Sequence, residues 1–322
     1  MSATPRRDAP AHDFLLPFAR WPDDERAPAL PPLPNLARLL ERLPVQQRDE
    51  GDEYSLSPPH ERALARSLGF EGPDGGLPFA AHAAAADGID TGDLAWGLLS
   101  PVHWQVGREH LTMGDPDALG LDEAASRAFL DAVRGLFESE GWLVAWGAPT
   151  RWYVAHESLT DLACASPDRV IGRNPDLWMP DHPAARTLRR LQAEVQMLLY
   201  THPLNDEREA RGLDPVNSFW LSGCGLRQPV REPAPITMLD ALRTPALRSD
   251  APAWLDAWRA LDAGPLAELL SRAQRGEAVT LTLCGERSAV HLGASAGGSW
   301  WQRLRARLAA PRADLGALLA SL

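Results

Sequence analysis

The sequence predicts a mixed α/β protein in which helices cover both faces of a sheet, a layered α/β/α arrangement. Two kinds of segment carry that expectation. Residues 122–140 and 183–200 place apolar side chains at helical spacing: Leu121, Ala125, Phe129, Val133 and Phe137 for the first, Leu188, Leu191, Val195, Leu198 and Leu199 for the second. Around them stand short apolar runs of strand length, at 14–18, 94–99, 102–106, 142–145, 151–155, 216–221, 279–283 and 289–292. Strands alternating with helices favour helices packed on a sheet.

Taken in order, residues 1–12 read as a disordered tail and 14–18 as a first strand. Pro22, Pro28, Pro31, Pro32 and Pro34 make a stiff connection, because proline lacks a donor and blocks helix. Asn35 is placed to cap a helix over 36–43 that Pro44 ends. The acidic run 48–54 reads as a loop, 59–68 as a helix with proline in its first turn, and 79–86 as a short alanine-rich helix. Ser100-Pro101 splits two strands, Gly141 stops the helix at 122–140, and 142–145 with 151–155 form a hairpin. Pro203 ends the helix at 183–200, and the strand at 216–221 runs into a loop, Ser222-Gly223-Cys224-Gly225. A linker-like stretch around Pro229, Pro233 and Pro235 precedes a helical run at 253–275, two strands, and closing helices from Trp300. The expected organisation is a main α/β domain over 13–228 and an extension over 229–322 on the same body. If there are two bodies, the break falls near 228–236.

Composition narrows the chemistry. Not one of the 32 basic residues is lysine; all are arginine. Arginine does not deprotonate in proteins, so it forms no Schiff base and serves as no amine nucleophile. Pyridoxal-phosphate and Schiff-base aldolase chemistry are excluded, together with the phosphate loop and the kinase strand that depend on lysine. A net charge of −11, with acids mixed among the arginines, argues against nucleic acid. No segment approaches the ~20 apolar residues that span a bilayer, and residues 1–10 lack the apolar centre of a secretory signal, so a cytoplasmic protein is expected. Cys164, Cys224 and Cys284 form no C-x-x-C pair and read as buried, reduced thiols.

Three blocks hold polar residues dense enough for a site. In the first, His202, Asn205 and Arg208 follow the helix that carries Gln196, and Asn217 and Ser218 open the next strand. These amide, imidazole and guanidinium groups fit a pocket for a small ligand. They equally fit an internal network tying the loop to the sheet, since a buried amide without partners costs ~1–3 kcal/mol. In the second, Asp52 and Glu53 with Asp49 and Glu50 are hard-oxygen ligands of the kind Mg²⁺ or Mn²⁺ takes, or a solvated loop. In the third, Asp90 and Asp93 precede His103 as ligand candidates, or as turn residues and a core histidine. Gly223-Cys224-Gly225 lacks the third glycine of a dinucleotide fingerprint, and Leu221-Ser222-Gly223 is no nucleophile elbow.

Asp93-Leu94-Ala95-Trp96, Pro101-Val102-His103, the stretch from Trp152-Tyr153 to Ile171-Gly172-Arg173, Gln196-Met197-Leu198-Leu199 with His202-Pro203 and Asn205, and Asn217 through Leu221 resemble a proteobacterial family. Its members carry the labels RpfE-type regulatory protein and cofactor-independent phosphoglycerate mutase-like protein, and the similarity spans most of 90–290. The mutase label implies an alkaline-phosphatase-like α/β/α fold, two divalent metals, a serine nucleophile and several Asp and His ligands. This chain departs from that pattern. No D-G-x-G-D follows the strand at 14–18, which leads to Ala19-Arg20-Trp21-Pro22-Asp23-Asp24, and no later D-H-G pair is found. The expectation is therefore a ligand-binding or regulatory protein on a degenerate phosphatase-like scaffold, with no cofactor favoured. Its partner would be a small molecule or a protein. The alternatives are a metal-dependent phosphotransferase or hydrolase holding Mn²⁺, Mg²⁺ or Zn²⁺ on Asp52, Glu53, Asp90, Asp93 and His103, and a protein-interaction scaffold.

Overall fold

A strand covered on both faces must be apolar without alternation, and β1 (His12–Leu16) closes on Phe14, Leu15 and Leu16, all buried. The computed structural model describes residues 12–22, 26–107, 111–180, 182–231, 236–293 and 314–322. The chain divides into two units, residues 1–54, 58–69 and 230–322 in the first, 55–57 and 70–229 in the second.

In the first unit β1 lies inside a five-stranded sheet. It runs parallel to β9 (Ile236–Met238) on one side and β10 (Val279–Cys284) on the other; β11 (Ser288–Gly293) and β2 (Val45–Glu50) continue antiparallel beyond β10. Phe14, Leu16, Leu281, Leu283, Val290 and Leu292 form one side of a core. The other side comes from Leu36 and Leu39 of α1 (Pro34–Leu40), Ala246 of α8 (Arg243–Leu247), Trp254 and Trp258 of α9 (Ala251–Leu261), Leu269 of α10 (Ala267–Gln274) and Leu318 of a C-terminal helix, α11 (Leu315–Ala320). Leu15, Cys284 and Ala289 point the opposite way, against Ala63 and Leu64 of α2 (Pro59–Leu68). The sheet is covered on both faces.

Three local expectations are corrected here. Asn35 does not cap α1: the helix already begins at Pro34 and its N-cap position, Leu33, supplies no side-chain bond. Asp262 does that work from far along the chain, accepting from Leu36 N–H at 2.8 Å and Asn35 N–H at 3.2 Å. Asp262 opens a π-helical turn (Asp262–Leu266) that lets Pro265 sit between α9 and α10, so the run at 253–275 is two helices. The acidic stretch from Arg48 is no simple loop either. Its first residues belong to β2, an exposed edge strand whose charged side chains discourage further pairing.

The second unit holds a four-stranded antiparallel sheet in the order β6 (Leu143–Ala148), β7 (Arg151–Ala155), β3 (Ala95–Val102), β8 (Ser218–Leu226). One face packs Leu99, Trp152, Val154, Phe219 and Leu221 on Phe129, Val133 and Phe137 of α4 (Glu123–Glu138) and Leu188, Leu191, Val195 and Leu199 of α6 (Ala184–Tyr200). On the other, Trp96, Tyr153 and Ala155 meet Ala80, Ala81 and Ala84 of α3 (Phe79–Ala86). Here β3 runs through Ser100-Pro101 unbroken, pairing Pro101 with Phe219. Likewise β8 continues through the expected loop at 222–225, where Gly223 (φ 63°) and Gly225 (φ 149°) take conformations that other residues resist. A two-stranded ribbon, β4 (Trp104–Val106) with β5 (Leu111–Met113), and the short helices α5 (Pro167–Val170) and α7 (Pro203–Ala210) complete the unit. Pro203 therefore both ends α6 and starts α7, in the N1 position proline favours. Residues 1–11 of the expected tail and 300–313 of the expected closing helices lie outside the described residues.

A single hydroxyl pins the β6–β7 hairpin to α4. Ser126, fully buried, accepts from the indoles of Trp146 (3.0 Å) and Trp152 (2.9 Å) and donates to Pro149 O at 2.8 Å. Ser126→Ala leaves both indoles short of an acceptor, so we expect a loss of about 2–4 kcal/mol. Urea denaturation followed by tryptophan fluorescence should show the midpoint fall at unchanged slope.

Candidate functional site

Where β3 gives way to β4, and α6 to α7 to β8, the chain breaks regular structure several times within one corner of the second unit. Each break leaves backbone groups that need partners. His202 stands at the N-cap of α7, its Nδ1 accepting from Leu204 N–H at 3.3 Å. Asn205 is buried and fully engaged: Nδ2 donates to Leu199 O (2.9 Å) and Val216 O (2.8 Å), and Oδ1 accepts from Val216 N–H at 2.9 Å. Its amide staples the end of α6 to the approach of β8. Arg208, also buried, donates Nε–H to Asp214 O at 2.8 Å and an η nitrogen to Leu119 O at 2.6 Å. Burial pulls its pKa down from the ordinary arginine value, with Arg211 adding to the effect.

Asn217 imitates a rung of the sheet. Its Oδ1 accepts from Trp104 N–H at 2.7 Å and its Nδ2 donates to Trp104 O at 2.9 Å, extending the pairing past the end of β3. His103 donates Nδ1–H to Pro215 O at 2.9 Å. The structure thus gathers His103, Asn205, Arg208 and Asn217 around the loop from Asp214 to Val216. Gln196 is not among them; it lies on the exposed side of α6. Ser218 is 1% exposed, and its Oγ, like Trp104 Nε1, has no partner among the described residues.

The acidic candidates are distributed between the units. Asp52 and Glu53 belong to the first, where Asp52 Oδ1 accepts from Tyr54 N–H at 2.8 Å and Glu53 lies 3.5 Å from Arg287. Asp90 and Asp93 are exposed turn residues of the second, Asp90 Oδ1 accepting from Gly92 N–H at 3.2 Å. Among the described residues no three His, Cys, Asp or Glu side chains form a metal-binding group. An open hollow of about 510 Å³ on the second unit is lined by Trp96, Glu138, Gly141, Trp142 and Leu143 to Ala145, and none of the sequence candidates reaches it.

Two groupings had no signal in the sequence. Asp87, at the end of α3, receives Arg151 in a two-pronged pair (2.9 and 2.8 Å) and the Tyr153 hydroxyl at 2.6 Å. A Cβ at Gly147 would stand 2.4 Å from the same carboxylate, so only glycine fits there. Arg151 holds the Asp87 carboxyl below the usual carboxylate range, while burial and then Asp87 push the Tyr153 phenol up. Cys164 and Cys224, 60 residues apart, place their sulfurs 3.8 Å from each other in the buried interior.

These features define a layered, mixed α/β protein of two units whose candidate polar side chains largely face their own backbone. No protein-family model matches the chain, and no curated protein matches it. Among solved structures, the cofactor-independent phosphoglycerate mutase of Thermoplasma acidophilum is similar at 14% identity, over 89% of this chain and 90% of that one, with a TM-score of 0.38. A Pyrococcus horikoshii protein, PH0037, is similar at 13% identity over 90% and 88%, with a TM-score of 0.44.

The Asp87 pair supplies a pH test. Because the folded-state pKa is lowered, its contribution to stability is present above the ordinary Asp value of ~3.9 and is lost as pH falls through the lowered value. Asp87→Asn should therefore be less stable than wild type at neutral pH, with the two converging in acid. Thermal denaturation across pH 7 to about 2 reads the convergence; parallel curves would remove the ion pair's role.

Proposed function

We propose that this chain is a binding or regulatory protein on a phosphatase/mutase-like α/β scaffold, acting without a catalytic metal centre. One observation carries the reading. The segment leaving β1, where the resembled enzymes begin their ligand-bearing D-G-x-G-D, is filled here by core residues. Phe18, Ala19 and Trp21 are buried in the main core of the first unit. Ala19 N–H donates to Cys284 O at 2.8 Å, and Phe18 O accepts the Trp254 indole N–H at 3.1 Å. Phe18 adopts φ 56°, a conformation costly for an aromatic residue and held only because the surrounding packing fixes it. A metal cage needs several carboxylates converging on one point; Phe18, Ala19 and Trp21 place apolar bulk there instead.

Two carboxylates elsewhere support the same reading, since arginines already neutralise them. Asp49 pairs with Arg62 (2.9 Å) and Arg66 (3.0 Å), and Asp87 with Arg151. In the corner around Asn205 and Asn217, Ser218 Oγ and Trp104 Nε1 are buried without a partner among the described residues, and both are neutral groups, not a charged set that would hold a cation. Elemental analysis of protein purified without chelator should find less than one equivalent of Mn²⁺, Zn²⁺ or Mg²⁺. Turnover of a phosphate monoester should stay at background when each metal is added. Two tightly held ions with metal-dependent turnover would establish the phosphotransferase or hydrolase in its place.

A further inference from the structure

We propose that this chain pairs with a second copy of itself through the outward face of α6, the two helices crossing antiparallel at Ala193. That pairing is independent of any ligand the protein binds. Opposite the buried stripe of Leu188, Leu191, Val195 and Leu199, α6 presents Arg186, Arg189, Arg190, Ala193, Gln196, Met197 and Tyr200, all exposed. At spacings of three and four these residues fall on one side of the helix. Met197 is 78% exposed and Tyr200 83%. Met, Tyr and Arg are residues enriched at interfaces.

The order of residues along the stripe selects the occupant. Ala193 is its midpoint: Arg186 stands seven residues before it and Tyr200 seven after, Arg189 four before and Met197 four after, Arg190 three before and Gln196 three after. A two-fold axis at Ala193 therefore sets each arginine of one copy against a complementary group of the other. Arg186 meets the ring of Tyr200, a cation over an electron-rich face, and Arg189 lays its stem along Met197; Arg190, which pairs with Glu140 of its own chain at 2.5 Å, faces Gln196. A parallel pairing would stack arginine on arginine. The antiparallel one also brings the cationic end of each helix to the carbonyl end of the other, and the small Ala193 lets the axes approach. Such a contact is self-complementary in the way two-fold interfaces require. An unrelated partner would have to bring what this face already carries.

Sedimentation velocity on the full chain tests this. A single-helix contact lies at the small end of specific interfaces, so the monomer should give way to dimer between about 1 and 100 μM. M197R/Y200R, changing two side chains that touch little of their own fold and setting arginine against Arg189 and Arg186 of the other copy, should remain monomeric throughout with an unchanged far-UV circular dichroism spectrum. Independently, Ala193→Cys should link two chains by a disulfide under oxidised glutathione, while Glu209→Cys, exposed but off the stripe, should not; the three native cysteines are buried. A wild-type chain that stays monomeric across the range overturns the proposal. So does a dimer that survives M197R/Y200R, or one that links equally well through Glu209→Cys.

Discussion

Every place where this chain leaves a helix or strand inside the protein opens backbone groups that water cannot reach, and the fold depends on polar side chains closing them. An unmade hydrogen bond there costs about 1–3 kcal/mol, a large part of the net stability of a domain. Asn205 closes three such groups at the junction of α6 and β8, and Asn217 closes two beyond the end of β3. Asp262 closes the start of α1. In each case the side chain faces inward to its own main chain.

That requirement shapes what the polar residues can do chemically. A carboxylate that accepts two backbone donors or a forked arginine is already stabilised as an anion, and recruiting it to a metal would reopen the groups it closes. The same holds for the amides: Asn205 has two donors and an acceptor occupied, and little capacity left for a ligand. A dense run of polar residues in a sequence is therefore two-sided evidence. It marks a site or it marks a difficult turn of the chain, and residue types alone do not separate the two.

Much of the fold was legible because burial leaves a period. The helices α4 and α6 follow from apolar residues at spacings of three and four, α2 from proline in its first turn, α3 from its alanine run, and β6, β7 and β10 from short β-rich runs between turns. What was not legible depends on pairing at long range. β2 is exposed on nearly every residue and has no apolar alternation to betray it; it is a strand because β11 lies beside it. β9 is three residues long beside a proline-rich stretch, and only its parallel match to β1 makes it a strand. The cap of α1 comes from Asp262, 226 residues away, so the nearer Asn35 was the natural but mistaken choice. At the candidate corner, the polar block at 202–218 was visible, but not that Asn217 would pair with the backbone of Trp104, 113 residues earlier. Asp87, Arg151 and Tyr153 likewise share no local pattern, since 64 residues separate the acid from its base.

The absence of lysine acquires a structural side in this light. A guanidinium carries five donors in a rigid plane, so one arginine can satisfy carbonyls on separate segments while remaining charged. Arg208 joins Asp214 to Leu119; Arg62 holds Asp49 while donating to Arg287 O at 3.0 Å; Arg134 donates to Val144 O on the edge strand β6 at 3.0 Å. Arg169, buried, donates to Ser55 O at 2.8 Å with its guanidinium over the Trp178 ring. Lysine, with one ammonium on a flexible stem, reaches one such place at a time and loses charge readily on burial. A coding bias toward arginine suffices to explain the composition. The fold nevertheless uses the planar fork repeatedly, in the same role the asparagines fill, so replacing these arginines by lysine is not a neutral exchange even where the charge is kept.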